Sequence, residues 1–95
     1  MTVVFVRELD VRDLEPPEPF ERCMEALPAL QPGELLCFVH RREPFPLYAA
    51  LDRLGFAHAT TTPTEALVHV WIWRREDEVA RERAGSLTRD DGTRA

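Results

Sequence analysis

The sequence predicts an α+β fold, a two-layer βαβαββ sandwich in which two helices cover one face of a four-stranded mixed sheet. The chain has 95 residues, enough for one small hydrophobic core. Its apolar residues fall in short blocks separated by proline, glycine and charged residues. Blocks with strand-like and helix-like spacing alternate along the chain, which is the pattern expected of such a sandwich.

The first half of the chain reads as strand, helix, strand. The largely apolar run from Val3 to Leu9 predicts the first strand. A helix entry follows at 13–18, where aspartate can cap, proline suits the first turn and acidic residues suit the positive end of the helix dipole. The helix is expected to end near Pro28. The Gln-Pro-Gly turn at 31–33 then leads to a central strand at 35–39.

The second half reads as a helix and a hairpin. Apolar residues recur on one face from Leu47 to Leu54, and Gly55 is placed to end this helix. The segments 56–62 and 65–74 are rich in threonine, valine and tryptophan, and they predict two strands joined at Pro63-Thr64. Residues 1–75 therefore form the expected domain. Residues 76–95 are mostly charged and small, and they predict a disordered tail after a helical stub at 77–83.

Composition excludes several classes of protein. The formal charge is -5, which disfavours non-specific binding to nucleic acid. The apolar blocks are too short to span a bilayer, and the N-terminal residues do not read as a signal peptide, so a cytoplasmic protein is expected. The two cysteines, Cys23 and Cys37, fall on apolar faces and are expected to be buried free thiols.

Two motifs resemble a known family. The segment LDVRDLEPPEP at 9–19 is similar to the strand-to-helix signature of TusA/SirA-like domains, and most of the chain, about 3–74, fits their βαβαββ layout. Together with HRREPFPLY at 40–48, it is closest to an uncharacterised bacterial branch of that superfamily, a domain of unknown function. In the sulfur carriers of the superfamily the signature holds a persulfide-bearing cysteine, and here Pro16 occupies that position. The resemblance therefore implies the fold but not the carrier activity.

The first candidate site lies where the first two strands end and both helices begin, the usual crevice of an open α/β layout. Arg12, His40, Arg41 and Arg42 are expected there as residues that bind an anionic ligand or an acidic segment of a partner. The competing interpretation is that these arginines pair with neighbouring carboxylates.

The second candidate site lies on the open face of the sheet. A two-residue turn at Pro63-Thr64 would place His58 opposite His69. An exposed aromatic patch would follow, and it predicts a partner surface or homodimer interface. Its members are Phe56, His58, His69, Trp71 and Trp73. Core packing of both tryptophans is the alternative.

The sequence is compatible with three functions. The leading hypothesis is a non-enzymatic binding or interaction module, because no nucleophile motif, phosphate loop or metalloprotease motif is present. A sulfur or redox carrier using Cys37 or Cys23 is the second. Binding of a metal or cofactor through histidines is the third, although no third metal ligand is evident and no cofactor can be named.

Overall fold

Four strands form one mixed sheet with the spatial order β1-β2-β4-β3. The structure is a computed structural model and describes residues 5–91; the predicted strand residues Val3 and Val4 and the tail residues 92–95 lie outside this range. β1 runs parallel to β2, and the other two pairs are antiparallel. The elements in chain order are β1 (Val6–Asp10), α1 (Glu18–Ala26) with a 3₁₀ turn (Leu27–Ala29), β2 (Leu35–His40), α2 (Phe45–Leu54), β3 (Phe56–Thr64), β4 (Leu67–Arg74) and α3 (Glu78–Asp90).

The predicted α+β class and the βαβαββ order of the first six elements are confirmed. α1 and α2 pack on one face of the sheet, where the main core is formed by apolar residues of both helices, β2 and β4. Its fully buried side chains include Cys23, Phe38, Leu51 and Ile72. Gly55 ends α2 in the left-handed conformation with φ of 88°, as predicted, because glycine has no Cβ to clash there.

The second face of the sheet is covered rather than open. The predicted disordered tail is wrong for its described part, because residues 78–90 form α3 and pack on this face. A second core lies beneath α3, and Ala80 and Ala84 provide its buried helical side chains. The sheet thus lies between α3 on one side and α1 with α2 on the other, so the fold has one layer more than predicted.

The hairpin of β3 and β4 has a different register from the predicted one. The turn lies at residues 65–66, and His58 is opposite Ile72 while Thr61 is opposite His69. The pairing is irregular between Thr61 and Thr64, around Pro63, whose missing N–H suits a break in the ladder. Because the shift is an odd number of residues, it moves the β3 side chains to the opposite face relative to β4.

Within residues 5–91, no helix is long and apolar enough to cross a membrane.

Candidate functional site

A pocket of about 190 Å³ lies between the beginnings of α1 and α2, at the carboxyl end of β2. We call it the inter-helix pocket. Its walls are mostly apolar, with three polar side chains among them. The lining residues are Pro16, Pro17, Pro19, Phe20, Phe38, His40, Arg42, Glu43, Pro44, Pro46 and Leu47. Since a cavity of about 150 Å³ holds a benzene ring, this pocket has room for one ring with a small substituent.

His40, the last residue of β2, forms part of the pocket wall. Its ring lies edge-on to Phe38 with centroids 5.9 Å apart, and its buried Nδ1 has no hydrogen-bond partner among residues 5–91. Burial lowers the pKa of His40, and the charges of Arg42 and Arg41 lower it further. His40 therefore contributes a neutral imidazole ring to the pocket wall, while its Nδ1 is closed off from solvent.

Two exposed arginines follow His40 directly. Arg41 and Arg42 form no ion pair with any residue of the described range 5–91, and Arg42 lines the pocket. Arg12 differs, because its guanidinium lies 2.7 Å from Asp10 Oδ2 and donates through Nε to both carboxylate oxygens. Hydrogen bonds from the side chain and backbone of Arg12 lower the pKa of Asp10. The structure thus separates Arg12, which has a local partner, from the two arginines at the pocket.

The helix beginnings supply fewer backbone donors than the sequence suggested. Pro19 and Pro46 have no N–H in the first turns of α1 and α2. In α2, Phe45 N donates to Glu43 O and Leu47 N donates to Pro44 O. These two donors are satisfied locally and Pro46 has none, so the first turn of α2 offers an anion no free N–H at residues 45–47.

A hydrogen-bonded group supports one wall of the pocket. The Tyr48 hydroxyl donates to Glu43 Oε2 at 2.9 Å and shares a 2.6 Å hydrogen bond with Thr60 Oγ1. Its ring stacks on His58 with centroids 4.6 Å apart, and His58 Nε2 lies 3.3 Å from Asp52 Oδ1. Burial raises the pKa of Tyr48 to about 12, so the phenol stays protonated and keeps Glu43 in place.

The predicted exposed aromatic patch is not formed. Trp71 and Trp73 are each 7% exposed and lie under α3, so the competing prediction of core packing describes them correctly. Phe56 packs against the main core on the opposite face, together with Val68, Val70 and Ile72. Self-association through these residues stays a prediction, but the surface on which it depended is covered.

The histidine pair expected for a metal is also not formed. His58 and His69 are not opposite each other, and the odd register shift puts them on different faces of the sheet. In the part of the chain that the structure describes, no group of three or more His, Cys, Asp or Glu could hold a metal ion.

Both thiols are buried, as predicted, on opposite faces of the sheet. Burial raises the pKa of Cys23 to about 12, and burial together with the charges of Asp91 and Glu8 raises that of Cys37 to about 12. Because the thiolate is the reactive form, neither residue has the environment of a sulfur carrier.

Sequence reasoning located the crevice but missed what forms its walls. The prolines at 16–19 predict a helix start, but together with those at 44–46 they also indicate a rigid apolar surface without proline N–H donors. Thr61 and Asp91 were missed as well. They bind each other and His69 where α3 ends, and no local pattern connects residues so far apart.

The fold and the pocket define a small α+β domain with a mostly apolar, arginine-flanked pocket at the end of a central strand. Residues 8–74 match the model of a family described as "Uncharacterized conserved protein (DUF2249)". The match spans more than half of the chain, which therefore belongs to this family of uncharacterised conserved proteins. No curated protein and no solved structure matches the chain.

Proposed function

We propose that this protein is a non-enzymatic binding module that takes a small apolar group carrying a negative charge into the inter-helix pocket. The observation that carries the proposal is the combination of an apolar pocket with two adjacent arginines that have no ion-pair partner among residues 5–91. An apolar pocket with a few convergent polar groups is the usual form of a ligand site.

The apolar walls and the arginines have separate roles in this proposal. The ring or alkyl part of the ligand displaces water from Phe38 and the prolines, and Arg42 meets the carboxylate or phosphate. The neutral His40 ring forms part of the wall that contacts the ligand. The ligand is either a free small molecule or an acidic segment of a protein partner with one aromatic or aliphatic side chain.

The sulfur-carrier alternative is weaker because both thiols are buried with raised pKa values. The TusA/SirA-like relationship stays a prediction, supported by the βαβαββ order of the matched region. A cytoplasmic location also belongs to the proposal, and two buried free cysteines fit a reducing compartment.

Titration of ¹⁵N-labelled protein with benzoate tests the proposal by NMR. We expect shift changes confined to amides around the pocket, such as those of Phe20, His40 and Leu47, and weaker binding of uncharged benzyl alcohol. Arg42→Gln should weaken benzoate binding by about two- to fivefold, the range for a partly exposed charge pair. The matched control is Arg53→Gln, which removes another exposed arginine at the far end of α2.

A short acidic peptide containing one phenylalanine is titrated in parallel. Tighter binding of the peptide than of benzoate would favour a protein partner over a free small molecule. Benzoate that fails to shift the pocket amides, or that binds Arg42→Gln as well as the wild type, would contradict the proposed site.

A further inference from the structure

α3 contributes few apolar side chains of its own to its contact with the sheet. Its buried side chains are Ala80 and Ala84, which are small, and Leu87 adds a partly buried contact. Val79 is 51% exposed and contributes little. The helix side of this contact is therefore small, and most of the apolar area that the contact removes from water belongs to the sheet side chains beneath α3.

Polar contacts at both ends of α3 supply the rest of the attachment. At the start, Asp77 caps the helix by accepting from Ala80 N at 3.0 Å, and it also accepts from Gly33 N at 2.7 Å. Arg83 donates to Gly33 O at 2.7 Å. Gly33 has a φ of 79°, a left-handed backbone conformation that favours glycine.

The other end of α3 is held by one carboxylate. Asp91, the C-cap residue, accepts a hydrogen bond from His69 Nδ1 at 2.8 Å and another from Thr61 Oγ1. Thr61 in turn accepts from Trp71 Nε1 at 3.0 Å. Asp91 therefore links the end of α3 to β3 and β4 at once.

The surface under α3 is apolar and lies within the matched family region, whereas α3 lies beyond it. We call this surface the covered face; its buried sheet residues are Leu35, Cys37, Val39, Trp71 and Trp73. The main core on the opposite side, built by α1 and α2, contains no residue of α3. Loss of α3 from the sheet would thus leave that core in place.

We propose that α3 is a detachable cover, which leaves the sheet as a unit while the rest of the domain stays folded. The hydrogen bonds of Asp91 to Thr61 and His69 hold α3 on the sheet, and we call Asp91 the latch. Because α3 shares no buried residue with the main core, it can open as a separate cooperative unit at lower free energy than the whole domain. Detachment exposes the Cys37 thiol and both indoles, so the device controls access to the covered face. This inference is independent of ligand binding at the inter-helix pocket.

Cysteine alkylation on the full chain tests the latch. Asp91→Ala removes the acceptor for Thr61 and His69, and Asp90→Ala, the matched control, removes the neighbouring exposed carboxylate. N-ethylmaleimide modification of each cysteine is followed by peptide mass spectrometry. Cys23 is a residue of α1 that is buried in the main core, and it is the internal reference for global unfolding.

We expect Asp91→Ala to raise the Cys37 rate by about tenfold or more, with the Cys23 rate unchanged and Asp90→Ala like the wild type. The charge of Asp91 itself raises the pKa of Cys37, so acrylamide quenching of the two tryptophans, which both lie under α3, must rise in parallel. A faster Cys37 with unchanged quenching would be an electrostatic effect and would overturn the proposal. A joint rise at both cysteines would mean that α3 leaves only on global unfolding, and no rise at Cys37 would mean that Asp91 is no latch. Either result would overturn the proposal.

If Asp91→Ala does not fold, amide hydrogen exchange of the wild-type protein tests the detachment of α3 instead. Amides of α3 should open at lower free energy than those of β2. Equal opening free energies in the two elements would also overturn it.

Discussion

His40 shows how a single residue links the pocket to stability. Burial, followed by the charges of Arg42 and Arg41, lowers its pKa in the folded protein below the ordinary value of 6.5. The folded state therefore binds this proton less readily than the unfolded state does. The contribution of His40 to the free energy of unfolding is then fully present above about pH 6.5. It is lost as the pH falls through that value toward the pKa of His40 in the folded protein.

We predict that His40→Gln makes the free energy of unfolding less dependent on pH in this window. Arg42→Gln should retain part of the dependence, because burial is the larger cause and remains. Urea unfolding at several pH values between about 7 and 4.5 measures the slope. An equal slope in His40→Gln and the wild type would show that another group produces it.

At the scale of elements, α3 is where the sequence prediction failed most. Its apolar stripe consists of Ala80, Ala84 and Leu87, spaced as one helical face but too weak to suggest a buried helix among so many charges. The Asp77 cap was a readable signal, and the predicted stub did begin there. These side chains become part of a core only because they pack on the two tryptophans of the sheet.

We predict that Asp77→Ala lowers the free energy of unfolding by about 1–2 kcal/mol, the usual effect of losing an N-cap. The tie to Gly33 is lost as well, so the effect should not fall below this range. Glu82→Ala, which changes an exposed carboxylate on the same helix, is the control and should stay within about 0.5 kcal/mol. Urea unfolding followed by circular dichroism gives both values, and equal effects would argue against the cap.

The hairpin of β3 and β4 was predicted correctly in its strands but not in their pairing. Strand content and the in-out alternation of Leu67, His69, Trp71 and Trp73 on one face were predicted correctly. The pairing was not, because the turn moved from Pro63-Thr64 to residues 65–66. Proline marks turns and ladder breaks alike, and only packing on both faces of the sheet decides between them.

At the scale of the whole molecule, the covered second face changes what Trp71 does. As an exposed patch residue it would affect self-association. Trp71 is instead buried and donates a hydrogen bond to Thr61, so its role lies in the core.

We predict that Trp71→Ala lowers the free energy of unfolding by about 3–5 kcal/mol, the range for truncating a large buried aromatic side chain. Phe45→Ala, at a residue that is 67% exposed, should cost about 1 kcal/mol or less. Thermal unfolding and native mass spectrometry are run on both variants. A Trp71→Ala protein with wild-type stability and altered oligomeric state would instead support the interface prediction.

The sequence by itself determined the α+β class, the order of the first six elements, the burial of both cysteines and the position of the crevice. These follow from local periodicity, caps and breakers, which act over a few residues. Only the tertiary structure decided the hairpin register, the cover over the second face and the separation of Arg12 from Arg42. Each of these depends on which distant groups compete for the same surface or charge, and short-range patterns carry no information about that competition.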